Sequence, residues 1–155
     1  MRKKVSVEIS NRTRQYIVIK ANIEKLIKEI LEYLNFSGDL ELSLALVGNR
    51  TIRALNKKFR NVDKFTDVIS FPFECNSQEK VTGEIVICPY VAEARARKIG
   101  NTFSNYFEFL LIHSILHLFG FSHDKEEDKT SMEALEDDIF KKVEKRSFIK
   151  KEGFR

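Results

Sequence analysis

Apolar and polar positions alternate in two regularities along the chain. Val5, Val7 and Ile9 alternate with polar residues, the period of a half-buried strand. Arg12 to Gln15 reads as a turn. Asn22 is a candidate N-cap, and after it Ile23, Leu26, Ile27, Ile30, Leu31 and Leu34 recur at helical spacing until Ser37-Gly38. Leu40, Leu42, Leu44 and Leu46 then alternate with Glu41, Ser43, Ala45 and Val47, a second strand broken by Gly48-Asn49. Asn49 can cap a helix reaching about Phe59, with Ile52, Leu55 and Phe59 inward and Arg53, Lys57 and Arg60 in a stripe on another face.

Asp67 to Phe71 has the length of a short strand, closed by Pro72, and the polar stretch Glu74 to Lys80 reads as a loop. The run Gly83 to Cys88 is apolar enough for a central strand. Pro89 suits the first turn of a helix that stops at Gly100. From about Ser104 to Phe119 the pattern is apolar nearly all round, which places that helix in the middle of the molecule. A last helix, about Glu127 to Lys145, is acidic at its start and basic at its end, as the helix dipole favours. This order predicts an α/β (α+β) architecture: a small mixed sheet of about four strands packed with about five helices. The chain of 155 residues is expected to form a single domain, 1–155, with no repeat or linker.

Composition narrows the class. Hydrophobic residues make up 43% and charged residues 32%, as in a water-soluble globular protein. The densest apolar run, Phe107 to Phe121, is interrupted by Glu108, His113 and His117 and is too short to span a bilayer, so no membrane partner is expected. The first residues lack the apolar core of a secretory signal. Cys75 and Cys88 are isolated and read as buried thiols, which fits a cytoplasmic protein. Net charge is +4, and cations cluster at Arg53, Lys57, Lys58, Arg60 and Lys64 and again at the C-terminus. An acidic block runs through Asp124, Glu126, Glu127, Asp128, Glu133, Glu136, Asp137 and Asp138, and reads as a solvated helix start.

The candidate chemistry lies in His113-Ser-Ile-Leu-His117-Leu-Phe-Gly120-Phe-Ser-His123-Asp124, which holds all three histidines of the chain. His113 and His117 are one helical turn apart on one face. Gly120 can end the helix in a left-handed conformation and swing His123 back towards the pair. Three imidazoles with an open fourth position form the catalytic type of zinc site. The spacing H-x-x-x-H-x-x-G-x-x-H resembles the metzincin protease signature. Those proteases carry a glutamate base directly after the first histidine; Ser114 stands there in this chain, and a hydroxyl cannot hold that proton near neutral pH.

The longer stretch His113–Asp124 resembles the H-G-x-L-H-L-x-G-Y-x-H-D signature of the YbeY family, bacterial metal-dependent endoribonucleases of ribosomal RNA maturation. Asn56-Lys-Lys-Phe-Arg60 with Thr66-Asp-Val-Ile-Ser-Phe-Pro72 is similar to that family's N-x-x-x-R…T-D-V-L-S-F-P segment. Gly83-Glu-Ile-Val-Ile-Cys88 is similar to its G-D-I-x-I-x strand, with Glu84 for the commoner aspartate; Ser114 replaces a usual glycine. The resemblance implies one zinc per chain at His113, His117 and His123, other divalent transition metals being possible. It implies that Arg60 contacts a phosphate at a catalytic site made of Arg60 and the three histidines. It also implies ribosomal RNA, the ribosome or a small-subunit precursor as partners.

The chemistry is consistent with that division. A metal lowers the pKa of bound water and polarises a phosphoryl oxygen, and a guanidinium can brace phosphate bidentately. The resemblance implies a single-strand-type endoribonuclease of ribosomal RNA maturation and ribosome quality control, with metal-bound water or the RNA 2′-hydroxyl as nucleophile; zinc-bound hydroxide alone, the 2′-hydroxyl, or a carboxylate such as Asp67 or Glu84 is the candidate base. Two alternatives stand beside this reading: an RNA-binding ribosome assembly factor with a structural zinc, and a small-substrate metallohydrolase. Without the resemblance Arg60 is a solvated or capping arginine and Asp67 a strand-entry residue. Asp124 would either orient an imidazole or begin the acidic run.

Overall fold

The structure is a computed structural model describing residues 4–76, 79–122 and 124–152. Its elements are β1 (Val5–Asn11), β2 (Tyr16–Val18), α1 (Lys20–Tyr33), β3 (Asp39–Leu46), α2 (Asn49–Arg60), β4 (Val68–Asn76), β5 (Lys80–Ile87), α3 (Pro89–Lys98), α4 (Phe103–Leu118), α5 (Glu126–Lys142) and β6 (Ile149–Lys151). Four strands form a mixed sheet in the order β1-β3-β5-β4; β1, β3 and β5 run parallel, and β4 is antiparallel at the edge. The α/β class, a mixed four-stranded sheet with five helices, is the one the pattern predicts.

The two faces of the sheet differ. One carries Leu40, Leu42, Leu44, Val81, Ile85 and Ile87 into the main core, with Ile23, Leu26, Ile27, Ile30 and Leu31 of α1 and the apolar sides of α4. Each such buried side chain contributes roughly 1.5–3 kcal/mol relative to exposure. The other face is only partly covered: a smaller cluster of Val47, Ile52, Ile69, Val86 and Cys88 forms under α2.

Several local expectations change. The N-cap position of α1 is Ile19, three residues before Asn22, whose amide instead donates to the Ser147 carbonyl at 2.7 Å. Gly48, not Asn49, occupies the N-cap position of α2. Pro72 does not close β4. The strand continues to Asn76 across a register shift between Pro72 and Glu74, taking in residues expected to be loop. An edge strand tolerates proline because its outward N–H needs no partner, and the bulge absorbs the ring. Cys75 is exposed for the same reason; only Cys88 is buried, and burial pushes its thiol pKa up. Phe59 is 55% exposed rather than inward. Only Ile52 and Asn56 of α2 are buried, and its last turn meets β4 through the ring contact of Phe59 with Phe71. The antiparallel pair β2–β6 was not foreseen, since three-residue strands are too short to show a period.

Candidate metal centre

Helix α4 is built to be fixed in place. Thr102 caps it, its Oγ1 accepting from the Asn105 N–H at 3.1 Å. At the other end Gly120, at φ +94°, donates to the His117 carbonyl at 3.0 Å while Phe121 N–H reaches the Leu116 carbonyl at 3.2 Å. This paired termination needs a left-handed residue, and glycine supplies it without a Cβ penalty. The helix buries Phe107, Leu110, Leu111, Ile112, Ile115, Leu116 and Leu118. Asn105, Tyr106, Phe109, His113 and His117 are half-buried and share one stripe. Gly83 of β5 sets how deeply α4 seats. A Cβ there would lie 2.5 Å from Leu118 Cδ2 and 2.9 Å from the Phe71 carbonyl oxygen.

On that stripe the Nε2 atoms of His113 and His117 stand 3.1 Å apart, with ring centroids separated by 4.6 Å. Behind His113, its Nδ1 lies 2.7 Å from Glu136 Oε1 of α5. Glu136 is 3% exposed. A carboxylate at Nδ1 holds the proton on that nitrogen, so the Nε2 lone pair points towards the Nε2 of His117. Two imidazole nitrogens converging on one point, with one ring locked from behind, suit a borderline-soft divalent cation such as zinc. His123, the third ligand expected, lies outside the described residues; among those described no group of three possible ligand side chains forms. Asp124 is exposed.

Glu136 is the residue that sequence reasoning missed. By sequence it belongs to a solvated acidic block, yet it lies with Met132 and Ile139 on the buried side of α5. Its signal was position: a glutamate on the apolar stripe of a helix, four residues from one core residue and three from the next.

The other expected site residues lie outside α4. Arg60 ends α2 and is exposed, on an element separate from the histidines. Asp67 is 5% exposed and already committed: Oδ1 pairs with Arg95 Nη1 at 2.9 Å, and Oδ2 accepts from the Tyr106 hydroxyl at 2.5 Å. Burial and then the Asp67 carboxylate push Tyr106 up to about 12, so the phenol remains a donor. Glu84 follows Gly83 on β5. Because Gly83 faces Leu118, Glu84 points to the opposite side of the sheet, where it pairs in register with Phe71. Neither carboxylate is therefore placed as a base at the histidine pair. Ser114, which stands where the resembling family has glycine, is fully buried, and its hydroxyl has no hydrogen-bond partner among the described residues. Beside Glu136 a cleft of about 460 Å³ opens between α4 and α5, with Tyr106, Phe109, Glu133 and Asp137 in its walls.

A family described as Endoribonuclease YbeY matches residues 8–144. A Thermotoga maritima protein of that name is 38% identical over 118 residues, 76% of this chain and 72% of the relative. One from Alkaliphilus oremlandii is 36% identical over 139 residues, 84% of this chain and 92% of the relative. A solution structure of a Thermotoga maritima protein superposes with a TM-score of 0.58 at 26% identity, covering 87% of each chain.

Proposed function

The chain belongs to the Endoribonuclease YbeY family, and on that premise we propose that it is a zinc-dependent endoribonuclease acting on ribosomal RNA during its maturation. The observation that carries the reading is the meeting of His113 and His117 at Nε2, with Glu136 locking His113 from behind. In this reading His113, His117 and His123 hold one zinc. When bound, the cation polarises a phosphoryl oxygen as a Lewis acid.

The side chains of the protein do the rest. Glu136 keeps the His113 proton on Nδ1 and so keeps the ring in its binding orientation. In this reading the Arg60 guanidinium braces two oxygens of the scissile phosphate and stabilises the charge that grows there. The cations around it raise the local concentration of a polyanion. No helix among the described residues is long and apolar enough to cross a membrane. In the proposed reading the protein works in the cytoplasm with the ribosome or a small-subunit precursor.

Elemental analysis of tag-free protein and cleavage of ribosomal precursor RNA test this together. Wild type should carry about one zinc per chain, and His117→Ala less than about a tenth. Arg60→Ala should keep the zinc and lose cleavage. Equal cleavage by all three proteins would assign the activity to a contaminant and remove the proposal.

A further inference from the structure

The end of α2 and the segment after it are unlike the rest of the surface. Phe59 is 55% exposed, Val62 41% and Phe65 48%, three apolar side chains within seven residues. From Arg53 to Phe65 the chain carries five cations against the single carboxylate of Asp63. Exposed aromatic rings among cations are costly to leave in water, and together they mark a surface that meets something.

The rings are also held. Phe59 meets Phe71 of β4 edge-to-face, centroids 5.0 Å apart at 75°, with Lys58 Nζ 5.2 Å from the Phe59 centroid. The Arg53 guanidinium lies 5.3 Å from the Phe65 centroid and is itself tied to Asp63 at 2.8 Å. The connecting loop is pinned from inside. Asn61 ends the helix at φ +59°, Val62 N–H reaches the Asn56 carbonyl at 3.3 Å, and the buried Asn56 amide donates to the Lys64 carbonyl at 3.0 Å. Arg53 is thus spent on holding Phe65. Lys57, Lys58, Arg60 and Lys64 are exposed around the two rings.

We propose that the end of α2 and the loop after it form a platform for single-stranded RNA around Arg60: Phe59 and Phe65 stack on nucleobases, and Lys57, Lys58 and Lys64 take the flanking phosphates. The choice of RNA as occupant rests on the function proposed above, and the positive charge matches it. Aromatic faces fixed among cations are what sequence-tolerant single-strand binding uses, because every base offers a π-face. Rings ordered before binding lose little entropy on contact. A duplex hides its base faces and cannot use the rings, and a lipid surface needs apolar bulk but no ring.

The test is equilibrium binding, not cleavage, so it stands or falls independently of the histidine site. Full-length protein is titrated against a labelled oligouridine of about twelve nucleotides, within the range of single-strand site sizes. Phe59→Leu with Phe65→Leu should bind roughly tenfold more weakly, while Phe59→Tyr with Phe65→Tyr should bind as wild type does. Lys58→Ala with Lys64→Ala should flatten the slope of log affinity against log salt by about 0.7 per lost phosphate contact. Melting temperatures of all variants show whether the fold is kept. Wild-type affinity in the leucine pair would overturn the proposal. So would equal affinity for the matching duplex, or binding of phosphatidylglycerol vesicles without binding of the oligonucleotide.

Discussion

The histidine face of α4 and the end of α2 carry the two motifs that most resemble the same family, yet they are built in opposite ways. At α4 the working atoms sit on a helix enclosed on nearly every side, and a buried carboxylate from α5 fixes one imidazole. At the end of α2 the side chains stand in solvent: the two rings are held by single neighbours, Phe71 and Arg53, over a loop pinned through Asn56, and the lysines around them are exposed. The difference fits the role proposed for each. A metal ligand has to be held to within a few tenths of an ångström, which takes packing and a second layer of hydrogen bonds. A surface that meets a long flexible polyanion gains from accessible charge and loses little from side-chain freedom.

Substitutions can break that contrast. The largest effect is expected for Glu136→Ala, which leaves His113 without its orienting carboxylate. Zinc affinity should fall roughly 10–100-fold in a chelator competition, with Glu136→Gln intermediate. A loss below threefold would mean that packing alone holds the ring. Gly83→Ala should follow, costing about 1–3 kcal/mol in urea unfolding, because the added methyl meets the Phe71 carbonyl oxygen as well as Leu118. Its zinc affinity should fall as well, since α4 must lift off the sheet.

At the α2 end, Asn56→Ala should cost about 1 kcal/mol through the lost bond to the Lys64 carbonyl. It should weaken oligouridine binding while leaving zinc affinity unchanged. A matched fall in both would show that the two regions are not independent.

The smallest effect sharpens the contrast from the buried side. Glu108 of α4 is 1% exposed, with Oε1 unpartnered among the described residues and Oε2 3.5 Å from Lys145. Burial raises its pKa above the ordinary 4.5, an effect that Lys145 partly offsets. The native state therefore holds the proton more tightly than the unfolded chain does. Native stability is at its fullest below the ordinary carboxyl pKa and is lost as pH rises through the raised native value. Glu108→Gln should accordingly be more stable than wild type by up to about 1 kcal/mol at neutral pH, with the gain vanishing in acid. A gain independent of pH would point to packing rather than charge.

Much of this was legible in the residues. The period of α1, the alternation of β3, the all-round apolar character of α4 and the stop at Gly120 each follow from a local rule, and each element lies where the pattern put it to within a few residues. Readings failed where a residue answered to something distant in sequence. Pro72 was read as a strand end because proline cannot join a ladder on both sides, but β4 has only one side to satisfy. Phe59 was read as inward from its spacing, but the sheet ends beneath it. Asp67 is a candidate base by sequence, but Arg95 and Tyr106, from α3 and α4, hold its two oxygens.

The sequence by itself determined the helix that carries His113 and His117, their common face and the turn that follows, because these depend on residues within a turn or two of each other; the family was legible because its motifs are short runs that are each read without the fold. Tertiary structure alone decided that Glu136 would stand behind His113, 23 residues away, that Glu84 would face away from the histidines, and that the end of α2 would meet solvent. Those outcomes depend on which faces the sheet leaves covered, and burial is a property of the assembled layers that no local spacing encodes.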